Sequence, residues 1–381
     1  MTTHNITPED FTPHGKVTLN ADGGELQMTT NTALYTHFHN NDSPISAYAC
    51  LPGKYKLPFR IDMTVKIDAP ALYLITGKGH VEFATGNAHR GITDILGGDF
   101  KPNTHEFDNN LQLGEYVDIS VTYGCAAVCV TVNGECRCLS KKDPYIKALK
   151  AGELPEEFKD GFAIALACEK RTEMTVKKLS VTEFGGELDI PSQPPEIRRF
   201  EYNLPEKPTV EAAVQLLTPE LQAKISSIDE YLMKNMKKSL KFKRKIENWS
   251  TGGRITYVSP WGFRYKIEIR ENYMWHDIGW IAYNTRREVE KYGGRKKADL
   301  TNKTLAKLSE ADPGFAAEMF ERVQECKGCN SGKCRNTWIY EFGGKKTVSC
   351  VWDGGMNFKM LPSDFADVRR IIAAIDAVSA E

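Results

Sequence analysis

The chain has 381 residues, of which 41% are hydrophobic, and its 50 basic and 50 acidic side chains cancel. This length and apolar content can build two cores of ordinary size, which excludes a disordered chain, and the neutral balance argues against a general polycationic binder of nucleic acid. No stretch reaches the apolar length of a membrane-spanning helix, and the first residues lack the basic start and apolar run of a secretory signal. The expected address is therefore the cytoplasm, where the ten cysteines read as thiols and metal ligands rather than a disulfide framework.

Antiparallel β-structure is expected first. Phe59–Ile67 and Tyr116–Tyr123 alternate apolar and polar residues, so each strand offers one face to a core. Val128–Val132 and Glu135–Leu139 flank Asn133-Gly134, whose tolerance of positive φ suits a two-residue hairpin turn. Closing that turn sets Thr131 opposite Cys136 and Cys129 opposite Cys138, a pairing open to either a cross-strand disulfide or two free thiols. Phe162–Ala167 and Met174–Phe184 continue the pattern, and together these runs predict a β-sandwich of two sheets.

The succession of Thr131-Val-Asn-Gly-Glu135, Gly161-Phe-Ala-Ile-Ala-Leu166 and Val176-Lys-Lys-Leu-Ser-Val-Thr-Glu-Phe184 resembles the concanavalin A-like lectin and glucanase jelly roll over roughly residues 15 to 185. The resemblance implies a fold shared by lectins, adhesion modules and glycosidases, several of which bind carbohydrate; it implies no single activity. The Glu-x-Asp-x-x-Glu strand of the related glucanases is absent. Asp94, Asp99, Glu106 and Asp108 lie in loop-like sequence and are expected to be solvated. His37 and His39 flank Phe38, so on a strand both imidazoles point the same way. With Tyr35 they form the candidate ligand-binding group, and with Asp42 and any of His80, His89 or His105 a candidate metal site. This half contains no Trp; Tyr35, Tyr48, Tyr55, Tyr73 and Tyr123 are the rings available to stack on a sugar.

Residues 1–200 carry 20 basic and 26 acidic side chains, all six tryptophans follow residue 248, and seven of eight histidines precede residue 106. A domain boundary explains these shifts, and the Gly- and Pro-rich run places a linker at 186–208 between a sandwich of residues 1–185 and an α+β domain of residues 209–381. Thr218-Pro219 opens a helix whose Leu221, Ile225, Ile228, Leu232 and Met236 form one stripe. The same segment turns basic from Lys234 to Lys245, either a solvated helix face or, with Phe242 and Trp249, a nucleic-acid grip. Strands are expected at Gly252–Val258 and Phe263–Arg270, helices at about 285–292 and 301–325, and a terminal helix from Ser363 to Ile375.

Cys326-Lys-Gly-Cys329, Cys334 and Cys350 straddle a hairpin turning at Gly343-Gly344, which sets Cys350 opposite Thr337. Four thiolates converging there would make a structural zinc site with no open coordination position. The first reading of function is thus a binding protein for a glycan or small polar ligand with a zinc-stabilised C-terminal module. The rivals are a divergent glycosidase or other hydrolase on the jelly roll, and a nucleic-acid regulator acting through a basic helix at 234–245.

Overall fold

A computed structural model describes residues 1–30, 47–84, 91–97, 107–140, 144–186 except 170, 196, 198, 202–235, 242–280 except 250–251, 260–262 and 272, 294–321, 337–350 except 343, 357–360 and 363–379. The chain divides into two compact units, Met1–Glu201 and Tyr202–Glu381.

The first unit contains thirteen described strands: β1 (Thr2–Ile6), β2 (Thr12–His14), β3 (Val17–Asp22), β4 (Glu25–Thr30), β5 (Tyr48–Cys50), β6 (Phe59–Ile67), β7 (Leu72–Thr76), β8 (Gly79–Phe83), β9 (Val117–Tyr123), β10 (Val128–Val132), β11 (Glu135–Ser140), β12 (Ile164–Cys168) and β13 (Glu173–Glu183). One antiparallel sheet runs β11-β10-β9-β6-β13-β4-β3, with β1 also on β13; the other runs β2-β5-β12-β7-β8. Alternation turns Ile61, Met63, Val65, Ile119, Val121 and Val181 of the first sheet inward, and all are buried. Leu72, Leu74, Val81, Phe83, Ile164 and Leu166 of the second are likewise buried. The Phe59 and Phe162 rings lie 6.4 Å apart, and the Thr30 hydroxyl donates to the Cys168 carbonyl at 3.0 Å. The two sheets form a sandwich of antiparallel strands, as the alternation predicts. The outward residues of the larger sheet are polar, among them Arg60 and Asp62, paired at 2.7 Å.

At the β10–β11 hairpin, Asn133 and Gly134 have φ of 50° and 79°, and Val132 and Thr131 face Glu135 and Cys136 as expected. A bulge then shifts the register, so Val130 faces Cys138 and Cys129 faces Leu139. The expected Cys129–Cys138 opposition is therefore wrong, and both residues are thiols. The inserted residue is Arg137, whose buried guanidinium reaches the buried Asp108 carboxylate at 2.5 Å. That ion pair gives the bulge a physical reason: a charge this deep needs a partner.

Asp108 is thus a structural anion, not a solvated loop charge. Asp94 departs from expectation in the same way. Its buried carboxylate accepts from the backbone N–H of Leu96 at 2.9 Å and of Tyr145 at 3.3 Å, at the start of α1 (Pro144–Ala151). Burial pushes its pKa up, opposed by those two bonds.

The second unit carries α2 (Val210–Val214), α3 (Pro219–Glu230), β14 (Lys243–Trp249), β15 (Gly252–Val258), β16 (Phe263–Arg270), β17 (Tyr273–Trp280), α4 (Gly294–Ala311), α5 (Pro313–Glu321), β18 (Thr337–Phe342), β19 (Lys345–Cys350), β20 (Asn357–Met360) and α6 (Phe365–Ser379). Five strands form an antiparallel sheet, β14-β15-β16-β17-β20, and β18 pairs with β19. Thr218 caps α3 through Leu221 N–H, and Ile225, Ile228 and Leu232 are buried with Ile255, Ile267, Val368 and Ile372. The basic run is not one helix: Lys243, Arg244 and Lys245 stand on β14, where alternation disperses them over both faces, and Arg244 pairs with Asp229 at 2.7 Å. Lys234, one turn past α3, pairs with Glu230 at 2.7 Å. Met236 and the 285–292 segment lie outside the described residues.

Candidate functional site on the outer face of the smaller sheet

The strand β8 reads Gly-His-Val-Glu-Phe. Its alternation sends Val81 and Phe83 into the core and His80 and Glu82 to the outer face. Pairing sets Ile75 against His80 and Tyr73 against Glu82 on β7. Across β12, Ala165 faces Ile75 and Ala167 faces Tyr73; β5 then brings Cys50 against Ala165, and β2 sets His14 against Tyr48. Ala165 and Ala167 point outward at the middle of this face but are buried there, at 4% and 0% exposure. Tyr48 and His14 stack at 5.0 Å toward one edge, and Tyr73 meets His80 edge-on at 6.2 Å toward the other.

Thr93 joins from the following segment. Its backbone N–H donates to the His80 carbonyl at 2.9 Å, and Glu82 N–H donates to the Gly91 carbonyl at 2.6 Å, so the segment lies along β8. Gly79 permits the approach, since a Cβ there would sit 2.4 Å from the Asp94 carbonyl oxygen. The Thr93 hydroxyl oxygen accepts from His80 N–H at 2.7 Å and lies 3.2 Å from His80 Nδ1, while His80 Nε2 lies 2.9 Å from Glu82 Oε1. In the tautomer that donates from Nε2 to Glu82, Nδ1 is free to accept from Thr93 Oγ1, whose hydroxyl also lies 3.4 Å from the His80 carbonyl oxygen. The result is a hydroxyl–imidazole–carboxylate chain with the histidine and glutamate side chains 25% and 17% exposed, enough to meet a ligand while held in place. Such a group can donate and accept hydrogen bonds over a short span, or polarise the hydroxyl.

Of the residues expected to bind, Tyr35, His37 and His39 lie outside the described residues, as do Asp42, His89, Asp99, His105 and Glu106. The connection that contains Tyr35, His37 and His39 leads into β5, whose Tyr48 belongs to this face. His80, left unplaced in the sequence, is brought to Glu82 and Thr93. The signal was present: a His-x-Glu spacing on an alternating strand puts both side chains on one face. Tyr55, Tyr73 and Tyr123 are buried at 3%, 4% and 2% exposure, which removes them as open sugar platforms and leaves Tyr48 half-buried. Burial, with Glu183 and Asp10 nearby, pushes the Tyr55 phenol up to about 12.

Cys326, Cys329 and Cys334 also lie outside the described residues. Cys350 ends β19 opposite Thr337, the register expected from the Gly343-Gly344 turn. Among the described residues, no three or more His, Cys, Asp or Glu side chains are grouped to hold a metal.

The second unit concentrates charge on the outer face of its sheet. Glu268, 5% exposed, lies 2.9 Å from both Arg254 and Lys266 and 3.7 Å from Arg270, and accepts from Trp275 Nε1–H at 2.8 Å. Burial opposes its ionisation, but Lys266, Arg270 and Arg254 prevail and hold its pKa at about 2. The Arg254 guanidinium covers the Trp249 ring at 3.1 Å. On the opposite face His276 is buried and its Nδ1 is 2.8 Å from the Tyr265 hydroxyl, so it faces the core. No helix among the described residues is long and apolar enough to cross a membrane.

No family model matches the chain, and no curated protein matches it. It is similar to the solved endo-β-1,3-glucanase of Pyrococcus furiosus, at 11% identity and a TM-score of 0.27 over 47% of this chain and 90% of that one. An alginate lyase of polysaccharide lyase family 7 gives 11% identity and 0.28 over 44% and 81%. A Bacillus subtilis protein of unknown function with a galectin-like fold gives 11% and 0.26 over 46% and 90%. At such identities and TM-scores the likeness transfers neither activity nor ligand, and the sandwich rests on its own strand pairing.

Proposed function

We propose that the first unit is a non-catalytic binding module for a glycan or related polar small molecule, received on the outer face of the smaller sheet. The observation that carries this reading is the hydrogen-bonded group of Thr93, His80 and Glu82 at one edge of this face, with the His14–Tyr48 stack at the other. Fixed donors and acceptors next to an aromatic surface are what a polyhydroxylated ligand needs, because its hydroxyls demand directed bonds and its ring faces are apolar. Tyr35, His37 and His39 belong to the proposal as a second contact region.

A glycan array, followed by calorimetry on any hit, tests it. Glu82→Gln and Tyr48→Ala should each weaken binding about tenfold or more, on the scale of one lost charge-assisted bond or aromatic contact. A hit unaffected by both and abolished by His37→Ala with His39→Ala moves the site to the second region. No binding across acidic and neutral glycans sinks the reading.

A second reading has its own observation, the Thr93–His80–Glu82 chain, which has the parts of a base-activated hydroxyl. A hydrolase working this way should turn over aryl esters or aryl glycosides and lose that activity in Thr93→Val while keeping ligand affinity. The C-terminal reading is a structural zinc held by Cys326, Cys329, Cys334 and Cys350, supported by the β18–β19 register that sets Cys350 opposite Thr337, three residues after Cys334.

A further inference from the structure

From Lys243 to Arg270 the chain has seven basic side chains and two acidic ones. Strand alternation gathers six of the seven. The register sets Lys243 against Val258, Lys245 against Thr256 and Glu247 against Arg254, and then Val258 against Arg264, Thr256 against Lys266 and Arg254 against Glu268. Arg270, two residues beyond Glu268 on β16, shares the same face. Ile255, Tyr257, Tyr265 and Ile267 take the other face and are buried, so the cations stand on the side away from the core. Six cations against the carboxylates of Glu247 and Glu268 leave this face with an excess of four positive charges. The excess is accessible at Lys243 and at Lys245, whose side chain is 70% exposed although it pairs with Glu247, while Arg270 is buried and adds charge rather than contact. An aromatic ring lies beside them: Trp249 ends β14 opposite Gly252, is 42% exposed, and carries the Arg254 guanidinium over its ring.

We propose that this outer face of the second unit's sheet is a binding surface for single-stranded nucleic acid, with phosphates along Lys243, Lys245, Arg264 and Lys266 and a base stacked on the Trp249–Arg254 pair. The proposal is independent of the glycan reading of the first unit. Three observations select this partner. The local charge excess calls for a polyanion, and the neutral total conceals it because residues 1–200 carry the acidic surplus. The exposed indole with its guanidinium offers a π surface, which a nucleobase matches with its own flat face and an acidic polysaccharide does not. The face is also too broad for a duplex groove: β14 to β17 are four adjacent strands, about 14 Å between the outer two at the usual spacing, whereas a major groove about 12 Å wide admits one helix or a two-stranded ribbon. A single strand laid across the sheet meets no such limit, and its backbone can follow the cations while its bases turn to the ring.

Fluorescence anisotropy of labelled oligothymidylate and oligouridylate, each about twenty nucleotides long, titrated with the full chain provides the test, with a duplex of equal length and labelled heparin as comparisons. At least one single strand should bind about tenfold or more tighter than the duplex. Its log K should fall against log salt with a slope of about −2 to −3 between about 50 and 200 mM, because each of three or four neutralised phosphates contributes about −0.7. Replacing Lys243→Ser together with Lys245→Ser should make that slope shallower by about 1 and weaken binding. Trp249→Ala should weaken it about tenfold with the slope unchanged, and Trp249→Phe should restore most of the loss. Both lysines are exposed, so the double variant leaves the core packing intact and reads binding rather than folding. Failure of both single strands to bind at about 50 mM salt, equal affinity for the duplex, or binding that the lysine double variant leaves unchanged overturns the proposal. Heparin bound as tightly as the single strands, with no change in Trp249→Ala, assigns the face to an acidic polysaccharide and also overturns it.

Discussion

Replacing Glu268 by Gln removes one charge from a buried group and leaves Arg254, Lys266 and Arg270 facing each other. The displacement of its pKa from the ordinary 4.5 to about 2, at roughly 1.4 kcal/mol per pH unit, is worth on the order of 3 kcal/mol. Mutational experience with broken buried pairs gives a similar scale, about 3–5 kcal/mol. A depressed carboxyl pKa contributes stability that is fully present above the unfolded value and lost as pH falls through the folded one. The gap between wild type and Glu268→Gln should therefore stay level from pH 7 to about 5 and shrink by about 2 kcal/mol on reaching pH 3. Urea unfolding followed by tryptophan emission isolates the effect, because all six tryptophans lie in the second unit and Trp275 itself donates to Glu268. A gap under about 1 kcal/mol at pH 7, or one that does not narrow toward pH 3, refutes the reasoning.

Three further outcomes are expected. Asp108→Asn breaks the buried pair with Arg137, and a loss of about 3–5 kcal/mol should appear in far-UV circular dichroism of the first unit's unfolding, without a shift in the tryptophan transition. In Gly252→Ala the new Cβ would sit 2.0 Å from the Ile269 carbonyl oxygen, so β15 must separate from β16; more than about 3 kcal/mol should be lost, and a drop under about 1 kcal/mol would show that the strands adjust freely. Protein purified without added zinc should contain about one equivalent by elemental analysis, and a strong chelator should lower the midpoint of the tryptophan transition; less than about a tenth of an equivalent rejects the four-cysteine site.

Much of the strand framework was legible because a half-buried strand has a two-residue period and a turn has few residues that fit it. Asn133-Gly134 and Gly343-Gly344 located both hairpins, and the second gave the Thr337–Cys350 register correctly. The first failed two pairs from its turn, at a bulge. No local signal marks such an insertion; it depends on Asp108, 29 residues earlier, being buried where Arg137 can reach it. Asp94 and Asp108 were misread as solvated for the same reason: exposure is a property of what packs around a residue. The basic run from Lys234 misled in another way, since charge composition is visible in sequence but the change from helix to strand before Lys243 follows from β14 pairing with β15.

The sequence by itself determined the alternating strands, the capped helix at Thr218, the shift in composition between the two halves and the resemblance of the first to a jelly roll. Those are consequences of periodicity and short-range stereochemistry, which a chain carries locally. Only the tertiary structure decided that His80, Glu82 and Thr93 form one hydrogen-bonded group, that a bulge at Arg137 sets Val130 rather than Cys129 against Cys138, and that Glu268 keeps its charge among three cations. Each depends on register and burial set by the whole fold, because hydrogen bonds and ion pairs act over a few ångströms between residues that need not be near in the chain.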